Sequence, residues 1–476
     1  MGVPCYAAVG GAVGSGAENR AAGARLAAIG ELDVLRLRQW GERESWATDT
    51  WDAIAAEIAA AVHIGQGLAS SYLNYARAMR MRLPRIGAVL LAGEISYATF
   101  QTIVYRTELI TDPEVMAAVD AQLAVKVRQW PSMTRARLGA AVDRLVAKAD
   151  RDALRRTRKQ QADRELSLWD GGNGLTEVFG RLLTPDAQVL DARLNALAHT
   201  VCAADPRTGA QRRADALGAL AADADRLTCR CGQPTCPAAT AAVPSPVLIH
   251  VVATQSTVDG TAPEPGALIG TDVLIPAELI AQLAAQAKLR PLVHPGDTPA
   301  EPRYAPSPAL ADFVRCRDLT CRFPGCDRPA TDTDLDHTIP HTDGGPTCAS
   351  NLKCLCRLHH LIKTFWGWHD RQLPDGTIIW TSPSGRTHVT APGAALLFPD
   401  LCAPTAQITA PDHPEPCTDR SAMMPRRRRT RTRRRYDYIA AERRHHRQTR
   451  QPHQTSPPPT QLTAHGRPPN DEPPPF

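Results

Sequence analysis

Apolar residues recur at helical spacing through most of the first three hundred positions. Ile54, Ile58 and Val62 fall four apart, and Leu68, Tyr72, Tyr75 and Met79 follow at steps of four, three and four. Each set makes one apolar stripe on one helix. Gly65 marks the turn between them, so the pair reads as a packed helical hairpin, with a helix-turn-helix as the alternative. Asp112-Pro113-Glu114 combines a capping side chain, a first-turn proline and a first-turn acid, and opens a helix through Val115, Val119 and Leu123. Thr134 opens another through Leu138, Val142 and Leu145. The period then shortens. Positions 165–169 and 175–182 flank Asp170-Gly171-Gly172-Asn173-Gly174, a turn sequence that predicts a β-hairpin. Helical spacing returns over 186–198, 208–227 and 276–288, and 247–253 is a short strand candidate.

This pattern predicts a multidomain chain. Residues 30–293 form a mainly α accessory domain with a minor β element. Residues 294–307 are a Pro-rich linker, 308–392 a compact module, and 393–476 a disordered basic and Pro-rich tail. Residues 1–29 are rich in glycine and alanine and read as a disordered leader or an over-extended start. No Lys or Arg precedes their mildly apolar stretch, as a signal peptide would require. No apolar run approaches the roughly 20 residues of a membrane span. The expectation is a cytoplasmic protein with no membrane partner.

Charge is unevenly placed. Residues 426–450 hold twelve arginines against Asp437 and Glu442, a net +10, so the overall +6 leaves −4 for the rest. A basic tail on a near-neutral body predicts a polyanion partner. Arg426, Arg427, Arg428, Arg429, Arg431, Arg433, Arg434 and Arg435 are the candidate phosphate contacts. Such contacts add affinity without sequence reading and weaken as salt rises.

Of the thirteen cysteines, six fall between Cys316 and Cys356 and three between Cys229 and Cys236. Clustering of this kind in a long chain points to metal ligation rather than disulfides. Cys321 and Cys326 flank a Pro324-Gly325 turn, and Cys356 and His359 form a second pair, with 29 residues between Cys326 and Cys356. Two such pairs suit a tetrahedral Cys3His zinc site that staples two loops. Cys316, Cys348 and Cys354 are alternative ligands. Cys229, Cys231 and Cys236 suggest a second zinc site whose fourth ligand is open among His199, Cys202 and His250.

Between the zinc pairs, Asp336-His337 sets a hard oxygen ligand beside a titratable imidazole. Phosphodiester hydrolysis needs both a cation and a base that works near neutral pH. A carboxylate holds Mg2+ or Mn2+, and a neutral histidine suits the base. His360 directly follows His359, so a zinc ion on His359 would also fix the position of His360. Lys363, one turn on, is either a phosphate contact or a solvated side chain. His341 reads as a polar loop residue. Trp366, Trp368 and the segment 376–388 are expected to pack on the module as a closing hairpin.

His337, Asn351 and His360, with 13 and 8 residues between them, resemble the H, N and H of the HNH endonuclease family. The flanking D-H-x-x-P, G-G, N-L and C-x-x-H-H-x-x-K are similar to its zinc-containing branch, although His359 stands where many relatives have cysteine. The resemblance implies a ββα-metal fold. In it His337 activates water, Asp336 and His360 hold one divalent metal that stabilises the leaving 3′ oxygen, and Asn351 braces the loop. The expected partner is nucleic acid, with double-stranded DNA the first choice and single-stranded DNA or RNA left open. The helical region, through LPRIGAVLLAGEIS, DPRTGAQRRADAL and CRFPGCDRPA, resembles a domain of unknown function that precedes HNH modules in actinobacterial, notably mycobacterial, proteins. That likeness covers about 40–400. The expected function is a metal-dependent endonuclease. The alternatives are a zinc-stapled nucleic-acid binder without catalysis, and a protein whose helical domain binds another protein, with the nuclease as effector.

Overall fold

In the computed structural model, the described residues are 6–131, 133–154, 164–172, 175–239, 249–269, 274–285, 287–406, 408 and 423–450. Seven helices come first: α1 (Tyr6–Trp40), α2 (Thr50–Val62), α3 (Gln66–Arg77), α4 (Pro84–Leu91), α5 (Tyr97–Arg106), α6 (Pro113–Lys126) and α7 (Arg135–Ala149). Strands β1 (Glu165–Gly172) and β2 (Leu175–Arg181) precede helices α8 (Thr184–Ala198) and α9 (Gly209–Ala221). Short pieces follow: β3 (Val251–Val252), α10 (Gln255–Val258), β4 (Gly266–Leu268), β5 (Leu274–Ile275) and α11 (Ala277–Ala284). The last group is α12 (Pro308–Asp318), β6 (Thr333–His337), β7 (Leu352–Cys356), α13 (Arg357–Phe365), β8 (His369–Gln372), β9 (Ile378–Thr381), β10 (Thr387–Thr390) and α14 (Arg431–Arg450). A mainly helical N-terminal region thus gives way to small antiparallel sheets. No single described helix is long and apolar enough to cross a membrane.

The chain divides into two compact units, neither continuous in sequence, and the division differs from the expected domain boundaries. One comprises Met1–Gly23, Met81–Arg156 and Arg429–Phe476; the other comprises Ala24–Arg80 and Thr157–Arg428.

In the first unit the capping residues act as their types predict. Asp112 accepts from the Glu114 amide at 2.8 Å, and Thr134 caps α7. Asp120, buried on α6, caps α4 by accepting from the amides of Arg85 (2.9 Å) and Ile86 (3.0 Å). The expected leader is instead helical from Tyr6, with Ala22 buried. Alanine is the best helix former, and Gly23 lets the helix approach another backbone. A Cβ there would stand 3.1 Å from the Leu91 backbone. The expected disordered tail is likewise helical over α14. Arg443 donates to the Leu109 carbonyl (2.9 Å) and pairs with Asp150 (2.7 Å), while buried His446 contacts the Asp152 carbonyl at 3.0 Å. Local charge alone predicts a solvated coil; acids distant in sequence supply the partners that fold it.

In the second unit, α2 starts at a capping box between Asp49 and Asp52, and Glu57 pairs with Arg36 in the interior at 2.6 Å. One apolar cluster joins Ala53, Ala56 and Ala60 of α2 to Cys321, Phe323, Ile362, Trp366, Trp368 and Trp380, with Trp40 and Trp46 packed on it. The expected accessory domain and module therefore share a core. A second cluster sets Phe313 and Val314 of α12 against Leu352 and Cys354 of β7. Buried Arg317 ties the same elements together by donating to the carbonyls of Ala349 (2.7 Å) and Leu352 (2.8 Å). The predicted hairpin forms as β1 and β2, with every β2 residue exposed. The expected closing hairpin is β9 with β10, extended by β8 into an antiparallel sheet.

Candidate functional site

The Cys321–Cys326 loop closes through the Cys326 amide, which donates to the Phe323 carbonyl at 3.1 Å, and through Gly325 at φ +73°. A Cβ at Gly325 would meet the Ile64 carbonyl oxygen at 2.6 Å, so both the turn and its packing require glycine. The second pair sits where β7 runs into α13. The ligand atoms of Cys321, Cys326, Cys356 and His359 all lie within 4.8 Å of one another. His359 Nδ1 is 3.2 Å from Cys356 Sγ and 3.6 Å from Cys321 Sγ, and the Phe323 ring stacks on its imidazole at 4.1 Å. Hydrogen bonds from Cys321 and Cys326 hold the Cys356 thiol far below its ordinary value, while burial pushes the Cys321 thiol up, so the three sulfurs share protons when no ion is bound. Cys316, Cys348 and Cys354 stand outside the grouping; Cys354 is an apolar core residue.

Strands β6 and β7 pair antiparallel, with Asp336 opposite Lys353 and His337 opposite Leu352. Helix α13 then brings His360 over the strand. Asp336 Oδ1 and His360 Nε2 are 3.3 Å apart. The other His360 nitrogen, Nδ1, lies 2.8 Å from Asp334 Oδ2. Asp334 and Asp336 are two apart on one strand and so share its face. Asp336 Oδ2 receives the ammoniums of Lys353 (2.8 Å) and Lys363 (2.6 Å), which also pair with Asp370 at 2.7 and 3.3 Å. Against the upward push of burial, Lys353 and Lys363 hold the Asp336 carboxyl well below the usual range. Lys363 also donates to the His337 carbonyl at 2.6 Å, so it faces inward and is not the solvated side chain that is one of its two expected readings.

The loop between the strands is held from within by Asn351. Its Oδ1 accepts from the Ile339 amide (2.8 Å), and its Nδ2 donates to the carbonyls of Ile339 (3.0 Å) and Pro346 (2.8 Å). His337 is buried, and burial pushes its imidazole down to about 4, so it is neutral at pH 7. Its Nε2 lies 2.9 Å from Thr347 Oγ1, which donates to the Tyr304 carbonyl at 3.4 Å. Thr347 has one proton to give, so it accepts from His337 Nε2–H, leaving the Nδ1 lone pair as the basic one. The Tyr304 ring stacks on His337 at 5.2 Å and meets His341 edge-on at 5.6 Å. The expected 294–307 linker is therefore part of the site. Its Glu301 amide donates to the Thr347 carbonyl at 2.9 Å, and the Glu301 carboxylate accepts twice from Ser307. Proline holds this segment extended, and the loop supplies its hydrogen-bond partners.

The second thiol set also closes. Cys202 joins Cys229, Cys231 and Cys236 as the fourth member, with the four sulfurs within 4.8 Å of one another. His199 and His250 are outside the group. Both sulfur-rich groupings are consistent with structural zinc.

The family described as "Domain of unknown function (DUF222)" matches residues 14–318. The chain belongs to this family. "Uncharacterized protein Rv3776" of Mycobacterium tuberculosis (strain ATCC 25618 / H37Rv) is 44% identical over 443 residues, covering 86% of this chain and 84% of its own. "Uncharacterized protein Rv2100" of the same strain is 44% identical over 453 residues, covering 86% and 82%. No solved structure matches the chain.

The DUF222 match begins within α1, in agreement with that helix being folded. It includes the Cys202 set and ends at Asp318, just before Cys321. Sequence reasoning missed Asp334, Thr347, Lys353 and Asp370, besides Tyr304 of the expected linker. The i, i+2 spacing of Asp334 and Asp336 was a readable sign for the first. The others are brought in by strand register and by segments distant in sequence. Among the basic candidates, Arg427 is committed to Asp49 at 2.7 Å and to the Ala47 carbonyl at 2.9 Å, and Arg435 stands 3.5 Å from Glu108. Arg426, Arg428, Arg429, Arg433 and Arg434 are exposed, and Arg431 is half-buried.

Proposed function

We propose that this DUF222 protein is a metal-dependent endonuclease of the HNH type, hydrolysing phosphodiester bonds of nucleic acid, with DNA as the substrate. The observation that carries the reading is the convergence of Asp336 Oδ1 and His360 Nε2 to 3.3 Å beside the buried, neutral His337. Adjacent ligands of one magnesium ion, each at about 2.1 Å, stand about 3 Å apart, so the pair fits a hard divalent cation. Asp336 and His360 would hold Mg2+ or Mn2+, and a bound ion supplies charge stabilisation at the leaving 3′ oxygen.

The chain's own residues divide the remaining tasks. His360 donates Nδ1–H to Asp334, which turns the Nε2 lone pair toward Asp336. His337 Nδ1 takes the proton of the attacking water as the water oxygen bonds to phosphorus and the bond to the 3′ oxygen breaks. Thr347 holds the imidazole in the tautomer this needs. Asn351 keeps the intervening loop, and with it Thr347, in place.

The test is cleavage of supercoiled plasmid by purified full-length protein with Mg2+ or Mn2+, beside His337→Ala. The parent is expected to cut, and the variant to cut at least ~10²-fold more slowly with zinc content unchanged. Equal rates would remove His337 from the mechanism, and no cutting by the parent under any divalent ion would leave the zinc-stapled binding module as the better reading.

A further inference from the structure

Four sulfurs lie close to one point at the ends of two helices that pack as a hairpin. Cys202 follows α8; Cys229, Cys231 and Cys236 follow α9. Cys202 Sγ and Cys229 Sγ are 3.5 Å apart, and no sulfur of the four is more than 4.8 Å from another. A disulfide brings two sulfurs to about 2.05 Å and leaves other pairs unconstrained. Four thiolates around one zinc ion at about 2.3 Å stand about 3.8 Å apart, a spacing that lies between the 3.5 Å pair and the 4.8 Å limit found here.

We propose that Cys202, Cys229, Cys231 and Cys236 bind one zinc ion in a closed four-thiolate site, and that this ion, in place of an apolar core, keeps residues 199–239 folded. The composition of the local core supports the second half. The apolar cluster here consists of Cys229, Cys236 and Ala238 with Val201, Cys202 and Cys231 packed against it. Four of its six members are the thiols themselves, so without an ion this cluster keeps one alanine and one valine, and the other buried apolar residues of the segment are only Ala216, Ala224 and Leu227. That is the situation of small domains that fold on metal binding.

The polar frame around the sulfurs is already built. Arg207 pairs with Asp205 (2.8 Å) and Asp215 (2.6 Å) and donates to the Thr228 carbonyl (2.7 Å). The Arg230 amide donates to Asp205 at 2.9 Å, and the Leu227 amide to Thr200 Oγ1 at 2.8 Å. These bonds draw the Cys202 loop and the Cys229–Cys236 loop together. The Cys229 amide donates to the Ala238 carbonyl (2.7 Å) and the Cys236 amide to the Gln233 carbonyl (3.1 Å), while Gly232 takes φ +70° directly after Cys231. The chain thus turns tightly enough to present three sulfurs inward. An all-sulfur donor set excludes hard cations, and zinc outcompetes ferrous iron at such ligands. Four protein ligands leave no open position, so the ion is structural. The inference stands independently of the nuclease reading.

The test uses full-length protein. Elemental analysis of Cys229→Ser is expected to show the loss of one zinc ion per chain relative to the parent. Cys356→Ser, at the other grouping, is expected to retain the ion that Cys229→Ser loses. Amide hydrogen exchange over 199–239 should rise in Cys229→Ser and stay at the parent level in Cys356→Ser. Should Cys229→Ser fail to fold, alkylation of the parent settles the matter. The four thiols are expected to resist iodoacetamide until a zinc chelator is added, as read by peptide mass mapping. Unchanged zinc in Cys229→Ser, iron in place of zinc, alkylation without chelator, or protection lifted only by a reductant would each overturn the proposal.

Discussion

Asp334 shows how a residue that need not touch substrate can decide what its neighbour does. Its carboxylate lies 2.8 Å from His360 Nδ1 and fixes which nitrogen of that ring faces Asp336. Asp336 and Asp334 together raise His360 above the ordinary imidazole value despite burial, so a proton competes with a metal ion for the ring. Asp334→Asn removes the negative charge and leaves the strand intact. It is expected to weaken divalent-metal activation of cleavage about 10- to 100-fold, with zinc content unchanged. A titration of activity against Mn2+ concentration checks this, and an unchanged midpoint would detach Asp334 from the site.

The unit β6–loop–β7–α13 works because its loop is rigid. Fifteen residues separate His337 from Lys353, and the loop carries both the Thr347 hydroxyl on the imidazole and the Asn351 bracing bonds. Asn351 is fully buried and makes three hydrogen bonds to backbone groups that have left the strand pairing. Asn351→Ala strands those groups and is expected to raise hydrogen exchange at Ile339 and through 338–350. Cleavage should fall by at least 10-fold, on the order of a few lost charge-neutral hydrogen bonds. Zinc content should stay unchanged, because Cys321, Cys326, Cys356 and His359 are held by other bonds. Exchange at the parent level would show that the Thr347 and Glu301 contacts hold the loop without Asn351.

For the whole molecule, the arginine-rich end must be divided before it is counted as a polyanion surface. Residues 401–406 belong to the folded part, since Ser350 Oγ donates to the Ala406 carbonyl at 2.6 Å and Thr405 is buried. Arg427, Arg443, Arg447 and Arg435 are engaged with acids of other segments, and Arg433 and Arg429 stand 3.2 and 3.9 Å from Asp437 of their own segment. Deleting everything after residue 400 would therefore remove structural contacts together with charge. Arg429, Arg433 and Arg434 are exposed and stand clear of the Arg443 and His446 contacts. Replacing these three by serine should weaken binding to duplex DNA at low salt and flatten the log–log salt slope by about 2 to 3, given about 0.9 per phosphate neutralised. Fluorescence anisotropy across a salt series measures it. A slope equal to the parent's would make the basic end a bystander.

Local pattern carried a large part of this protein. Helical spacing and capping residues such as Asp112 and Thr134 located α2, α3, α6 and α7, because helices are built from neighbours in sequence. The C-x4-C and C-x2-H pairs likewise announced a Cys3His grouping, since a turn between close ligands aims both at one point. What depended on distance was decided only by the folded chain. Cys202 was one of three candidates until packing of α8 on α9 set it beside Cys229. Helices α1 and α14 read as disordered because their composition is alanine-rich or strongly basic, and their partners, Leu91 and Asp150 among them, lie far along the chain. The Pro-rich 294–307 segment read as a linker until Glu301 met Thr347. Lys353 and Asp370 reached Asp336 through strand register and a later strand. Spacing along a chain fixes which side chains share a turn or a face, but only burial and pairing between remote segments fix which charges, sulfurs and rings meet.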